Sequence, residues 1–237
     1  MAQFNCNPRT GHLRNTFRIF MWLKVHVKSK LVMDCRKRDM DQFDFPEYSW
    51  TCYYPGAAEV IPDDMPYPLV ESVQITVFAN ALFAANMVTR KSVTGILIFV
   101  NDSPILWLSS QATLETSTFG SDFVALHVAV KMVEALRYKL RMFGVPLNGP
   151  ANAFCDNQSV LLNSTLPSST LKKKHNLVNY HKVMVSAAQN VPKRYKMWRS
   201  FRAATIGLVK LSQCHCLCLK GVISFRVIVQ CNAEFVD

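Results

Sequence analysis

Residues 151–162 read ANAFCDNQSVLL, and this stretch decides the fold. Ala151–Cys155 is a short apolar run, so it reads as a strand buried within a sheet rather than at its rim. Asp156-Asn157 turns the chain, and a helix follows through Leu162. Working upstream, residues 120–143 carry Phe123, Leu126, Val130, Val133 and Leu140 on one side of a long helix that Gly144 and Pro146 end. Before it come three strand signals, 74–80, 94–101 and 103–109, with Asn101-Asp102-Ser103 as a tight hairpin turn between the last two. Downstream, a basic helix is expected over residues 171–188, after which the pattern weakens. Three antiparallel strands, a helix, a central strand and further helices describe an α/β fold: a mixed sheet with helices on its faces.

Two segments precede this body. Leu13, Phe17, Phe20 and Lys24 recur at helical spacing over residues 12–24, and a short strand is expected at 31–33. Residues 34–72, rich in Asp, Pro and Tyr, read as an irregular connector. Asp63-Asp64 has the composition of a polymerase acid pair, but Pro62 precedes it and no hydrophobic hairpin flanks it, which makes it a loop.

Composition narrows the function classes. The 237 residues are 50% hydrophobic and 18% charged, enough to bury a core and too apolar for wholesale disorder. No run approaches the roughly 18–20 apolar residues of a membrane helix. Asn5, Asn7, Arg9 and Arg14 stand where a signal peptide would have its apolar stretch, so an intracellular location, cytoplasmic or nuclear, is expected. Reduced thiols are then the default for the eight cysteines. Cys214, Cys216 and Cys218 follow one another with a single residue between neighbours, closer than the usual zinc pair, and no second suitable pair follows them.

The formal charge of +11 is unevenly placed. Residues 1–156 hold 15 Lys/Arg against 14 Asp/Glu, whereas residues 157–233 hold 12 Lys/Arg and no acid. That stretch would attract a phosphate backbone without reading its sequence, or it is simply a solvated basic surface.

Asp156, at the end of a central strand, and Asp122, in the first turn of the long helix, could meet over the sheet. Hydrolysis of a phosphodiester by two magnesium ions needs three or four convergent carboxylates, which hold the metals roughly 4 Å apart. A third ligand is expected at the end of the first strand, where the chain has Asn80. Ordinary alternatives exist: Asp156 capping the next helix, and Asp122 favouring its helix dipole.

Five ordered motifs carry a resemblance: residues 88–95 (VTRKSVTG), 103–107 (SPILW), 117–126 (STFGSDFVAL), 155–159 (CDNQS), and Lys174-His175 with Tyr180-His181. Together they closely resemble the ribonuclease H domain of copia-type LTR retrotransposon polyproteins. Upstream, Asn7-Pro8, His12, Ile19 and Trp22-Leu23-Lys24 are similar to the last helix of that family's reverse transcriptase. The resemblance spans roughly residues 7–188 and implies a ribonuclease H-like fold that cleaves the RNA strand of RNA–DNA hybrids with Mg2+ or Mn2+. It implies the organisation 1–33, end of the reverse transcriptase; 34–72, connector; 73–190, ribonuclease H-like domain; 191–237, divergent basic and Cys-rich tail. The chain then looks like the C-terminal part of a polyprotein, ancestrally fused to a polymerase.

Carried over by position, the catalytic and metal-holding residues fall on Asp156, Asp122 and Asn80. Asp122 replaces the usual glutamate and Asn80 the usual aspartate. A fourth acid is expected either four residues before His181 of the Tyr-His pair, at Leu177, or in a terminal Ala-Asp element, which is missing; residues 157–233 contain no acid. Arg90, Lys91, Lys172, Lys173, Lys174 and His175 are the expected nucleic-acid contacts, while Leu108-Ser109-Ser110-Gln111 lacks the lysines the family shows there. His175 and His181 could help shed product, and Glu115 is the nearest spare carboxylate. The expectation is a retrotransposon-derived domain with weakened metal binding and weak or lost hydrolysis. The alternative is a non-catalytic nucleic-acid-binding module that uses the basic C-terminal half. The break in resemblance after about residue 188 reads as a frameshift or lesion, which translation of the other two reading frames would test.

Overall fold

The structure, a computed structural model, describes residues 9–25, 27, 33–40, 43, 45, 48–85, 89–111, 114–171 and 176–197. The expected strand at 31–33, the basic run 172–175 and the cysteine cluster lie largely or wholly outside them. The chain divides into two compact units, with residues 33–201 in one of them. Helix α1 (Thr10–Val25) belongs to the other and contains the expected 12–24. Among the described residues no helix is long and apolar enough to cross a membrane.

The larger unit is a five-stranded mixed sheet with helices packed on it. β1 (Ile75–Leu82), β2 (Val93–Val100) and β3 (Ser103–Gln111) form an antiparallel meander. Asn101 and Asp102 make the turn between β2 and β3, and Asn101 takes a positive φ of 55°, a conformation asparagine tolerates better than most residues. α2 (Thr118–Met142) then carries the chain across to β4 (Ala151–Cys155), which lies parallel to β1 with Phe78 beside Phe154. α3 (Gln158–Thr165) and α4 (Leu177–Ala188) lead to β5 (Pro192–Met197), parallel to β4. The strand order β3-β2-β1-β4-β5, with the first three antiparallel and the last two parallel to β1, is the ribonuclease H-like arrangement.

Alternation along the strands builds two apolar layers. Val77 and Ala79 of β1, Ile96 and Ile98 of β2, and Ala153 and Cys155 of β4 join one buried cluster. That cluster includes Phe123, Leu126, Val130 and Val133 of α2, Val183 and Met184 of α4, and Tyr195 of β5. Ser117 caps α2, its Oγ accepting from the Gly120 N–H, and Gly144 at φ 70° follows its end. A Cβ on Gly144 would sit 3.0 Å from the Tyr67 carbonyl oxygen, so both backbone angle and space favour glycine there.

On the alternate strand positions, Phe78 stacks on Phe154 at 5.1 Å and meets Phe99 edge-on. The connector covers this layer. It has no regular helix or strand among its described residues, as expected, yet it is firmly held. Arg38 lies 4.5 Å over the Phe99 ring and ion-pairs with Asp102, while Phe43 and Phe45 set their rings against Phe154. Asn101 is the clasp: its Oδ1 accepts from the Gln74 N–H at 2.9 Å and its Nδ2 donates to the Cys35 carbonyl at 2.7 Å. Further along, Glu59 receives Arg137 through two hydrogen bonds of 2.7 and 2.8 Å, and Arg141 at 2.7 Å. Burial alone would raise the Glu59 pKa, but the two guanidinium groups hold it below its ordinary value.

Two expectations about the C-terminal part need correction. The basic helix does not start at 171: Leu171 is in a loop, and α4 starts at Leu177 after Asn176. The sheet also continues past residue 190, where no strand was foreseen. β5 escapes the pattern because three of its six residues are Lys193, Arg194 and Lys196, and its buried anchor is Tyr195. Such charges are typical of an edge strand that must not pair further.

Candidate active site

The site lies where β1 and β4 end. Their parallel register pairs Phe78 with Phe154, so Asn80 and Asp156 each stand two residues beyond that pair, at the same end of the sheet. Asp122, the fifth residue of α2, closes the group from the helix layer. Its Oδ1 accepts from the Ala81 N–H at 3.1 Å, and its Oδ2 accepts from the Asn157 side-chain amide at 2.9 Å. One carboxylate thus ties α2 to the residue after Asn80 and to the residue after Asp156. The three sequence-expected positions are brought to one place.

Burial pushes the Asp122 carboxyl up to about 6, and the nearby Asp156 charge adds to the rise; the bonds from Asn157 and Ala81 partly offset it. Asn157 was read from sequence only as a turn residue. It caps α3 through Oδ1, which accepts from the Ser159 and Val160 N–H groups at 3.0 and 3.3 Å, while its Nδ2 serves Asp122. Asn157 therefore does the capping that was one ordinary alternative for Asp156. The sequence signal was an asparagine directly before a helix. Cys155, next to Asp156, is buried and its thiol is pushed up to about 12, so it is no nucleophile.

The residues present do not fit the two-metal centre the family resemblance implies. Among the described residues no group of three or more His, Cys, Asp or Glu side chains could hold a metal ion. Asp122 already gives each of its oxygens to an N–H donor, which leaves fewer lone pairs and less negative charge for a cation. Asn80 contributes no charge. Leu177, the fourth position, lines a cleft of about 310 Å³ with Tyr53, Tyr54, Tyr180 and His181, and offers no donor. Glu115 lies in the loop before α2, its carboxylate packed against Gly120.

Arg90 and Lys91 are exposed in the connection between β1 and β2, at the end of the sheet where Asn80 lies. Lys172, Lys173, Lys174 and His175 lie outside the described residues. His181 is exposed on α4, its ring edge-on to Tyr180.

No protein-family model matches the chain. Among solved structures, it is similar to the N-terminal ribonuclease H domain of a Mycobacterium tuberculosis protein, solved as a fusion with maltose-binding protein. The identity is 12% over 56% of this chain and 87% of that one, with a TM-score of 0.42. A ribonuclease H1 isolated from compost by a metagenomic approach gives 13% identity, 56% and 89% coverage and a TM-score of 0.42. The ribonuclease H1 of the halophilic archaeon Halobacterium salinarum gives 11%, 52% and 83%, and 0.37. At these values the fold rests on the strand order and directions, not on the likenesses.

Proposed function

We propose that this chain is a retrotransposon-derived ribonuclease H-like domain whose hybrid-cleaving centre has become a structural tie, with hydrolysis weak or lost. One observation carries the reading: both oxygens of Asp122 are committed to the Ala81 N–H and the Asn157 amide, beside an asparagine at the first ligand position. Two-metal hydrolysis depends on carboxylates that hold cations close together and neutralise their charge. One tied carboxylate, one further aspartate and one amide provide too little negative charge for that. The copia-type origin rests on the five sequence motifs, as does the division into the end of a reverse transcriptase, a connector, a ribonuclease H-like domain from 73 to 190 and a divergent tail. Because β5 occupies 192–197, a lesion that replaced the ancestral ending falls beyond it on this reading.

The partner is an RNA–DNA hybrid or another nucleic acid. Arg90 and Lys91 stand at the site's end of the sheet, and residues 157–233 contain 12 cations and no acid. That asymmetry favours a second reading, a module that binds without cutting. Incubating the full chain with a labelled RNA–DNA hybrid in Mg2+ or Mn2+, while following binding by anisotropy across a salt series, tests both. Salt-sensitive binding with an intact RNA strand is expected. Cleavage that disappears in Asp156→Ala would overturn the loss of hydrolysis.

A further inference from the structure

The two edges of the sheet are unlike. β5 ends one side with Lys193, Arg194 and Lys196 among six residues. β3 ends the other with SPILWLSSQ, nine residues without a single formal charge. Among the described residues β3 pairs only with β2, so its outer backbone groups face away from the sheet. Ile105, Leu106 and Trp107 are 38, 37 and 41% exposed on it. A long, uncharged, apolar edge is the feature that soluble proteins ordinarily blunt with lysine, proline or a bulge, because it templates pairing with another strand. Here Pro104 and the irregularity opposite Ile98 and Phe99 protect only its beginning.

We propose that the outer edge of β3 pairs antiparallel with β3 of a second copy of this chain, joining two sheets across a two-fold axis. The strand's own sequence favours this occupant. Antiparallel self-pairing over its full length puts its central residue, Trp107, opposite Trp107. Leu106 then faces Leu108, and Ile105 faces Ser109. Aromatic and aliphatic pairs of this kind are favourable cross-strand neighbours, and no like charges meet. The same operation on β5 would set cation against cation. An interface in which one patch meets itself also closes at two copies, leaving neither β3 edge open.

Sedimentation velocity on the full chain, with reductant and high salt across a concentration series, reads the result. The expected species has twice the 26.9 kDa chain mass, and Trp107→Lys, which places two ammonium groups at the axis, returns it to one. Far-UV circular dichroism of the variant should match that of the unmodified chain. Hydrogen exchange on the unmodified chain gives a measure that does not depend on the variant folding: the amides of residues 105–110 should exchange more slowly as concentration rises. A monomer at every concentration overturns the proposal, as does a dimer that survives Trp107→Lys in a folded chain. Concentration-independent exchange along β3 also overturns it, since the edge would then be open or covered by some other strand.

Discussion

The middles of β1 and β4 differ from their ends in what holds each residue in place. In the middle, Val77, Phe78, Ala153 and Phe154 are almost completely buried, with helices on one face and the connector on the other. Their identities answer to packing, whatever chemistry the domain performs. Two residues further on, Asn80 and Asp156 stand half-buried where the strands end. The fold can therefore persist while the centre changes. Asp122 sits at the boundary and has passed from one regime to the other: it is a ligand position by descent on the proposed reading, and a hydrogen-bonded tie by geometry.

The largest effect should come from the packed middle. Phe154→Ala should cost about 3–5 kcal/mol, because it opens the layer shared by Phe78, Phe43 and Phe45; urea unfolding with an unchanged m-value would check it. Loss of less than about 1 kcal/mol would break the contrast between middle and end. Next is the clasp. Asn101→Ala removes two side-chain hydrogen bonds at once and should cost about 2 kcal/mol, with faster hydrogen exchange in the connector.

The tie should show itself through pH. The Asp122 carboxyl is near 6 when folded and close to its ordinary value of 3.8 when unfolded. The native state therefore holds the extra proton between those values. The stabilisation is complete below about 3.8 and is lost as pH rises through about 6. Its size is on the order of 2 kcal/mol, and Asp122→Asn should remove that slope from a denaturant series run between pH 4 and 7. The smallest effect should belong to Asp156. Asp156→Ala removes the neighbouring negative charge, so the Asp122 titration followed by NMR should move below 6.

Much of the sheet was legible because its pattern is apolar and periodic. β4 matches its expected bounds, the hairpin turn falls on Asn101-Asp102, and α2 runs within two residues of expectation. β5 was not legible, since three cations clustered around one tyrosine look like solvated surface until a partner strand is present. Nor was the grip of the connector. Arg38, Asn101 and Glu59 act through residues 64, 66 and 78 positions away, which no local pattern reveals. The site positions Asp122 and Asp156 were readable from the motifs. Asn157 was not, because its second hydrogen bond depends on α2 crossing over the end of β4.

Whether the Asp122 carboxylate ties α2 to β1 and to the start of α3 instead of holding cations can be read by titrating Mn2+ into the full chain by calorimetry. No saturable binding that depends on Asp122 and Asp156 is expected. A saturable isotherm for two ions, abolished by Asp156→Ala, would contradict it.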